Sequence, residues 1–435
     1  MEIQAASPGG SGVRASESEM ARQVLVFIVM NRCLAGGIQT SLIACPGRRG
    51  GSDRVNRSRG ELESEARVLV DLRCLETPSG SRGVGRYARE LVRALPASAP
   101  KDWEFLALSW SGVGASLGLG DVRYPGPSRG IGLADRWLMP PLLRREKIAL
   151  YHSPVYALPS AGARGTALVL TVHDLVAELF PDALSWRHRQ AFRRTFRSAS
   201  VAHRVLTVSE TTRRELLAHY PLDAARVVAV PNGVVECVRA PSRAEASSVD
   251  WPRPFLFYAG GLDPLKNVGF LLRVLRRCRD GGLFLHLVLA GEAGPRSDRL
   301  LHEARSLGLG NAVRMAGHVD DATLATGYRE ALAFVFPSRY EGFGLPPLEA
   351  MAAGCPVVSS PCGALAEVLG DAAILAGPDD ETSWTAAIAR LAGDSPLRER
   401  LIAAGRARAA GFTWERTARE TVEAYRLVLE ENGKS

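Results

Sequence analysis

The chain reads as α/β, with two doubly wound αβα domains. Three observations predict this. Short apolar runs with the character of buried parallel strands alternate with amphipathic helical stretches throughout residues 68–429. Several of those runs end in glycine turns or polar residues at the carboxyl end, where open parallel sheets bind ligands. At 435 residues the chain exceeds what one hydrophobic core supports, so two domains are expected.

Composition narrows the class. The apolar fraction of 46% is that of a globular protein, and 54 basic against 46 acidic residues leave a formal charge of +8. The basic residues are nearly all arginine, the lysines being Lys101, Lys147, Lys266 and Lys434. No zinc spacing, aromatic–basic interleaving or helix-turn-helix pattern is present, which sets nucleic-acid binding aside. Cysteines 33, 45, 74, 237, 278, 355 and 362 are scattered and odd in number, as in a reduced cytoplasmic protein. The longest early apolar run, Val24–Met30, is too short to span a bilayer. Residues 1–65 are rich in Gly, Ser, Arg and Glu without sustained periodicity. They are expected to be a mostly disordered extension, or the product of too early a start codon.

The first domain is expected over 66–245. Val68–Leu72 reads as a strand, followed by a loop and a helix from Gly83 on which Tyr87, Leu91, Val92 and Leu95 share one face. Gly83-Val-Gly-Arg-Tyr-Ala88 also fits a loosened dinucleotide fingerprint, glycine-x-glycine-x-x-alanine. The loop between strand and glycines, and the lack of an acidic strand end about 20 residues on, weaken a nicotinamide reading. Ala167–Val172 is a strand that places His173 and Asp174 at its carboxyl edge. His152, in Tyr151-His-Ser-Pro154, is read as structural. Trp186–Arg204 carries six arginines and no acid, on a helix with a poor apolar stripe. A solvated face, an anionic-lipid contact and a groove for a phosphorylated acceptor all fit that pattern. Val205–Ser209 is a strand whose last serine caps the helix Glu210–His219. Pro241–Pro254 reads as the linker.

The second domain is expected over 250–410. Phe255–Ala259 is a strand feeding Gly260-Gly-Leu-Asp-Pro-Leu-Lys-Asn267, where Gly260 and Gly261 admit close backbone approach and Lys266 can meet an anion. Ala333–Phe336 is a strand, and Ser338–Leu345 the loop at its carboxyl end. Pro346 and Pro347 suit the first turn of a short helix that Gly354 closes. Glu349 is thereby expected in that first turn, and Glu341 on the loop ahead of it. Such a helix end favours phosphate, and the two carboxylates can accept from sugar hydroxyls. Thr413 is expected to cap a terminal helix.

Glu341-Gly-Phe-Gly-Leu-Pro-Pro-Leu-Glu349-Ala-Met-Ala resembles the signature of the retaining glycosyltransferases of family 4, whose fold is GT-B, two Rossmann-like domains facing across a cleft. The resemblance runs from about Val68 to about Leu429, with motifs in family order. It implies transfer of a sugar, with mannose favoured, from a nucleotide-diphosphate sugar to a glycan or polyprenyl-linked acceptor, as in cell-surface polysaccharide synthesis. No cofactor or metal is implied. Peripheral contact with the inner face of the plasma membrane is, as is a helix in 411–435 crossing back to the first domain. Glu349 would hold the ribose, Glu341 the sugar hydroxyls and Lys266 the diphosphate, with His173 near the reacting sugar. Gly83, Gly85, Gly260, Gly261, Gly342, Phe343, Gly344 and Leu345 would line the donor. Gly317, with His318 and Val319, would meet the base. In one respect the chain departs from the family: the arginine usual beside the lysine is missing, those positions being Gly261 and Leu265. Arg86 is a candidate substitute. The alternative is a GT-B scaffold subunit of a polysaccharide assembly complex that has lost turnover.

Overall fold

A computed structural model describes residues 66–127, 131–159, 165–235 and 250–433. All of these residues belong to one compact unit. The expected extension at 1–65 and most of the expected linker lie outside the described residues.

The first sheet has seven parallel strands in the order β3-β2-β1-β4-β5-β6-β7. These are β1 (Arg67–Asp71), β2 (Glu104–Ser109), β3 (Gly120–Arg123), β4 (Leu150–Ser153), β5 (Ala167–Val172), β6 (Arg204–Thr207) and β7 (Val227–Ala229). Its helices are α1 (Gly83–Ser98), α2 (Ile131–Arg145), α3 (Val176–Leu179), α4 (Trp186–Ser198) and α5 (Glu210–His219). The inner strands, β1 and β5 among them, are buried on both faces, as their near-continuous apolar runs require, while the edge strand β3 is largely exposed. Val68 and Val70 face the core shared with α1, while Leu69 between them faces the core shared with α2 and α4.

The second sheet has six parallel strands in the order β10-β9-β8-β11-β12-β13. They are β8 (Phe255–Ala259), β9 (His286–Ala290), β10 (Val313–Gly317), β11 (Ala333–Phe336), β12 (Val357–Ser359) and β13 (Ile374–Leu375). Around them lie α6 (Val268–Asp280), α7 (Pro295–Ser306), α8 (Asp321–Glu330), α9 (Leu345–Ala353), α10 (Leu365–Leu369), α11 (Glu381–Gly393) and α12 (Ser395–Ala410). Phe257, Tyr328 and Phe334 meet edge to face, and Phe336 stacks on Phe334, in an aromatic core along β8 and β11. The final helix, α13 (Trp414–Gly433), packs on α1 and against β5 and β6 of the first sheet. Thr413 Oγ1 accepts from Arg416 N at its start.

Both sheets share one topology: the order reverses between their first and fourth strands. In such sheets the crevice at that reversal receives the ligand. In the second sheet it falls between β8 and β11, whose carboxyl ends lead into Gly260–Lys266 and Pro337–Gly344. The carboxyl edges of the two sheets meet. Ser209, just after β6, donates from its hydroxyl to the Gly342 carbonyl at 2.8 Å, while Tyr340 Oη accepts from Leu175 N at 3.0 Å.

Candidate active site

The two loops at the second sheet's reversal are stitched together. Arg339 N donates to Leu265 O at 2.7 Å, and Ser338 Oγ donates to the same carbonyl at 3.2 Å. Across this stitch Lys266 Nζ reaches Glu341 Oε1 at 2.7 Å. Burial works to lower the Lys266 pKa, but the Glu341 carboxylate, with Asp263 and Asp174 nearby, raises it on balance, so the ammonium stays charged.

The Glu341 loop is positioned from the other lobe. Tyr340 donates its hydroxyl to Glu215 Oε2 at 2.7 Å, and the Gly342 carbonyl accepts from Ser209 and Thr212. A Cβ on Gly342 would stand 1.8 Å from the carbonyl oxygen of His173, so this approach admits glycine alone. Gly344, at φ 101°, is the residue from which α9 starts.

Glu349 stands one residue further along α9 than the prolines suggested. The helix starts at Leu345, so Glu349 is its fifth residue, and the first turn holds no acidic side chain. Side chains lean toward the helix amino end, which carries its carboxylate back over that turn. Glu349 is only 2% exposed. Arg86 donates Nη1–H to its Oε1, and Tyr328 donates its hydroxyl to Oε2 at 3.2 Å. Burial raises the Glu349 pKa, and the Arg86 guanidinium opposes that rise. Arg86 lies in the first turn of α1 in the first lobe, and its Nη2 also reaches Asp321 Oδ1 at 2.7 Å. Glu349 and Arg86 thus pair across the lobes.

His173 is half-buried at the carboxyl end of β5. Its Nε2–H donates to the Pro154 carbonyl at 2.8 Å, which fixes the tautomer and leaves Nδ1 with its lone pair. Burial pushes its pKa down to about 4, so the ring is neutral near pH 7. Asp174 makes no contact with that ring and accepts from Val176 N instead. Behind His173, the Tyr87 ring meets it edge-on at 4.7 Å between centroids. Tyr87, Thr171, His152 and Tyr425 then form a buried hydrogen-bonded chain to α13. His152 is therefore a structural residue, its pKa lowered by burial to about 3.

Other expected residues are less convergent. Gly85 is buried against Gly80, so its lack of a side chain serves the packing of the 72–82 loop, while Gly83 is exposed and unobstructed. Two 3-10 turns separate β1 from α1, unlike the direct strand-to-glycine turn of a dinucleotide site. Phe343 packs its ring edge-on against Phe412. Gly260, at φ 152°, and Gly261 follow β8 directly, and Leu345 is the half-buried first residue of α9. Gly317 ends β10 at φ 71°, with His318 exposed beyond it. Among the described residues no cluster of three or more potential metal ligands occurs. Arg339, two residues before Glu341, turns outward onto Asp379.

Sequence alone did not reveal the cross-lobe partners. Arg86 and Glu349 are 263 positions apart, and Tyr340 and Glu215 are 125 apart. The signal within reach was Arg86 itself, a cation following two glycines at a helix start.

The profile described as Glycosyltransferase Family 4 matches residues 81–236, and that described as Glycosyl transferases group 1 matches 244–408. O-antigen chain mannosyltransferase B of Escherichia coli is 32% identical over 297 residues, spanning 66% of this chain and 76% of that protein. D-inositol 3-phosphate glycosyltransferase of Kineococcus radiotolerans is 35% identical over 257 residues, 53% of this chain and 58% of that one. Among solved structures, sucrose-phosphate synthase of Thermosynechococcus elongatus aligns with a TM-score of 0.71 at 21% identity, over 84% of this chain and all of that one. Anabaena HepE, solved in complex with UDP and glucose, aligns at 0.66 and 18% identity, over 83% and 99% of the two chains. At those identities the two structures establish the fold, which is GT-B. With both family profiles matched in order and the Escherichia coli relative covered over most of its length, the chain belongs to glycosyltransferase family 4 and is a glycosyltransferase.

Proposed function

We propose that this enzyme transfers a hexose, with mannose favoured, from a nucleotide-diphosphate sugar to a glycan or lipid-linked acceptor, with retention of anomeric configuration. The observation that carries this reading is the Lys266–Glu341 pair at the strand-order reversal, with Glu349 one helical turn beyond. The likeness to an O-antigen chain mannosyltransferase supports the sugar and the acceptor class.

In this reading Glu349 accepts from the ribose hydroxyls, Glu341 from the hydroxyls of the sugar, and Lys266 meets the diphosphate between them. As the glycosidic bond breaks, negative charge grows on the leaving phosphate oxygen, and the desolvated Lys266 ammonium stabilises it. The acceptor hydroxyl attacks from the face the diphosphate leaves, passing its proton to that phosphate. No carboxylate pair is then needed to supply a nucleophile and an acid, in contrast to retaining glycosidases. Neutral His173 lines the reacting centre from the acceptor lobe without adding charge. Gly83, Gly260, Gly261, Gly342, Gly344 and Leu345 line the donor path, and Gly317 the base.

The acceptor side faces a membrane surface in this reading. Trp137 on α2 is 75% exposed and Trp186 on α4 is 66% exposed. Arg136, Arg187, Arg194 and Arg197 are exposed on the same two helices. Indole rings with arginines suit the interface of an anionic bilayer. No helix among the described residues is long and apolar enough to cross a membrane. In this reading the contact is peripheral, at the cytoplasmic face.

The test is a thermal-shift panel of GDP-mannose, GDP-fucose, UDP-glucose, UDP-galactose and UDP-N-acetylglucosamine, followed by NMR of the product linkage. At least one donor should stabilise the protein and give a product that keeps the anomeric configuration of that donor. Stabilisation by none, or an inverted anomer, would refute the reading.

A further inference from the structure

Arg86 and Lys266 are two cations at the junction of the lobes, and three carboxylates quench them. Lys266 meets Glu341, while Arg86 meets both Glu349 and Asp321. Formally, two positive charges against three negative ones leave these clusters at −1. A diphosphate carrying about two negative charges gains little by entering such a site unless a cation changes partner.

The two arms of Arg86 differ in what they leave behind. The Glu349 side chain is 3% exposed, and stripping its cation would strand a buried charge. The Asp321 side chain is 56% exposed, where an ion pair is worth little. Asp321 also lies in the first turn of α8, where the helix dipole favours a carboxylate without any partner. Guanidinium is suited to such a division, because its planar fork serves two oxyanions at once.

We propose that Arg86 is a second donor-binding cation: Nη1 stays on Glu349 while Nη2 moves from Asp321 to the donor diphosphate. This rests on the donor site proposed above. With the ribose at Glu349 and the sugar at Glu341, Arg86 and Lys266 bracket the diphosphate from opposite lobes, so binding ties the lobes together. Asp321 is then a competitor for the guanidinium, and removing its charge favours the bound state.

Calorimetric titrations with GDP and UDP, and with guanosine and uridine, test this on the wild type, Asp321→Asn, Arg86→Ala and the double variant. For whichever diphosphate the wild type binds, D321N should bind about two- to fivefold tighter and R86A at least tenfold weaker. The nucleoside alone should be insensitive to D321N, and the double variant should match R86A. An unchanged D321N affinity, an equal gain for nucleoside and diphosphate, or a gain that persists in the double variant would overturn the proposal. D321N alters an exposed side chain, so the decisive comparison survives if R86A folds poorly. Failure of the wild type to bind either diphosphate would overturn the donor reading itself, and this proposal with it.

Discussion

Lys266 and Glu341 meet at 2.7 Å across the point where the strand order of the second sheet reverses. The lysine comes from the loop after β8 and the glutamate from the loop after β11, and backbone and hydroxyl bonds to Leu265 hold the two loops in register. That arrangement supplies a desolvated cation and a carboxylate in one small crevice. The reading of the protein as a nucleotide-sugar enzyme rests there.

Replacing Lys266 with Ala should lower kcat about 10²- to 10³-fold, the range for removing one charge-stabilising donor from a preorganised site. Steady-state kinetics with the donor identified by thermal shift would check it. An unchanged kcat would remove Lys266 from the chemistry.

Gly342→Ala forces a methyl group against the His173 carbonyl, 1.8 Å from where its Cβ would stand. Overpacking of this kind costs about 1–3 kcal/mol. Chemical denaturation should show that loss, together with reduced activity, since the displaced loop carries Glu341. Gly393→Ala, at the end of α11, is the control, because its Cβ would meet nothing within 4 Å. Equal effects at the two positions would contradict the close approach.

His152 is buried and neutral, with a pKa held down to about 3. Above pH 6.5 the folded and unfolded chains are both neutral at this residue. Below it the unfolded chain takes up a proton that the fold refuses, so stability falls with acidification at up to about 1.4 kcal/mol per pH unit. His152→Gln loses hydrogen bonds to Tyr425 and Thr171 and should be the less stable protein at pH 7. Its deficit should shrink by about 2 kcal/mol on going to pH 5. His173, Asp174 and Glu349 titrate in both proteins and cancel in the difference. A deficit independent of pH would show that His152 is charged in the fold.

The fold was legible because parallel strands buried on both faces write unbroken apolar runs, and their ends fall beside glycines. The site was half legible for the same reason. Lys266, Glu341 and Glu349 belong to loops and a helix that follow directly from strands, so position along the chain approximates position in space. The start of α9 was placed one residue late because the prolines draw attention, whereas Gly344 sets the helix origin. Contacts between lobes left no local trace. The arginines of α4 looked unopposed because the partner of Arg193, Glu178, belongs to the preceding helix, and Phe196 turns inward while Trp186 faces out.

That outward face makes a further prediction. The wild type should sediment with phosphatidylglycerol vesicles more than with phosphatidylcholine vesicles, and less so in high salt. Trp137→Ser with Trp186→Ser should reduce sedimentation with the anionic vesicles without lowering the melting temperature. No preference for anionic vesicles would exclude the proposed docking face.

The most direct measurement is calorimetric titration of the wild type and Glu349→Ala with the nucleotide sugar that gives the largest thermal shift. Loss of charge-assisted bonds to the ribose should cost about 1.5–3 kcal/mol, weakening Kd roughly 10- to 100-fold. Equal affinity in the two proteins would contradict a donor site at Glu349.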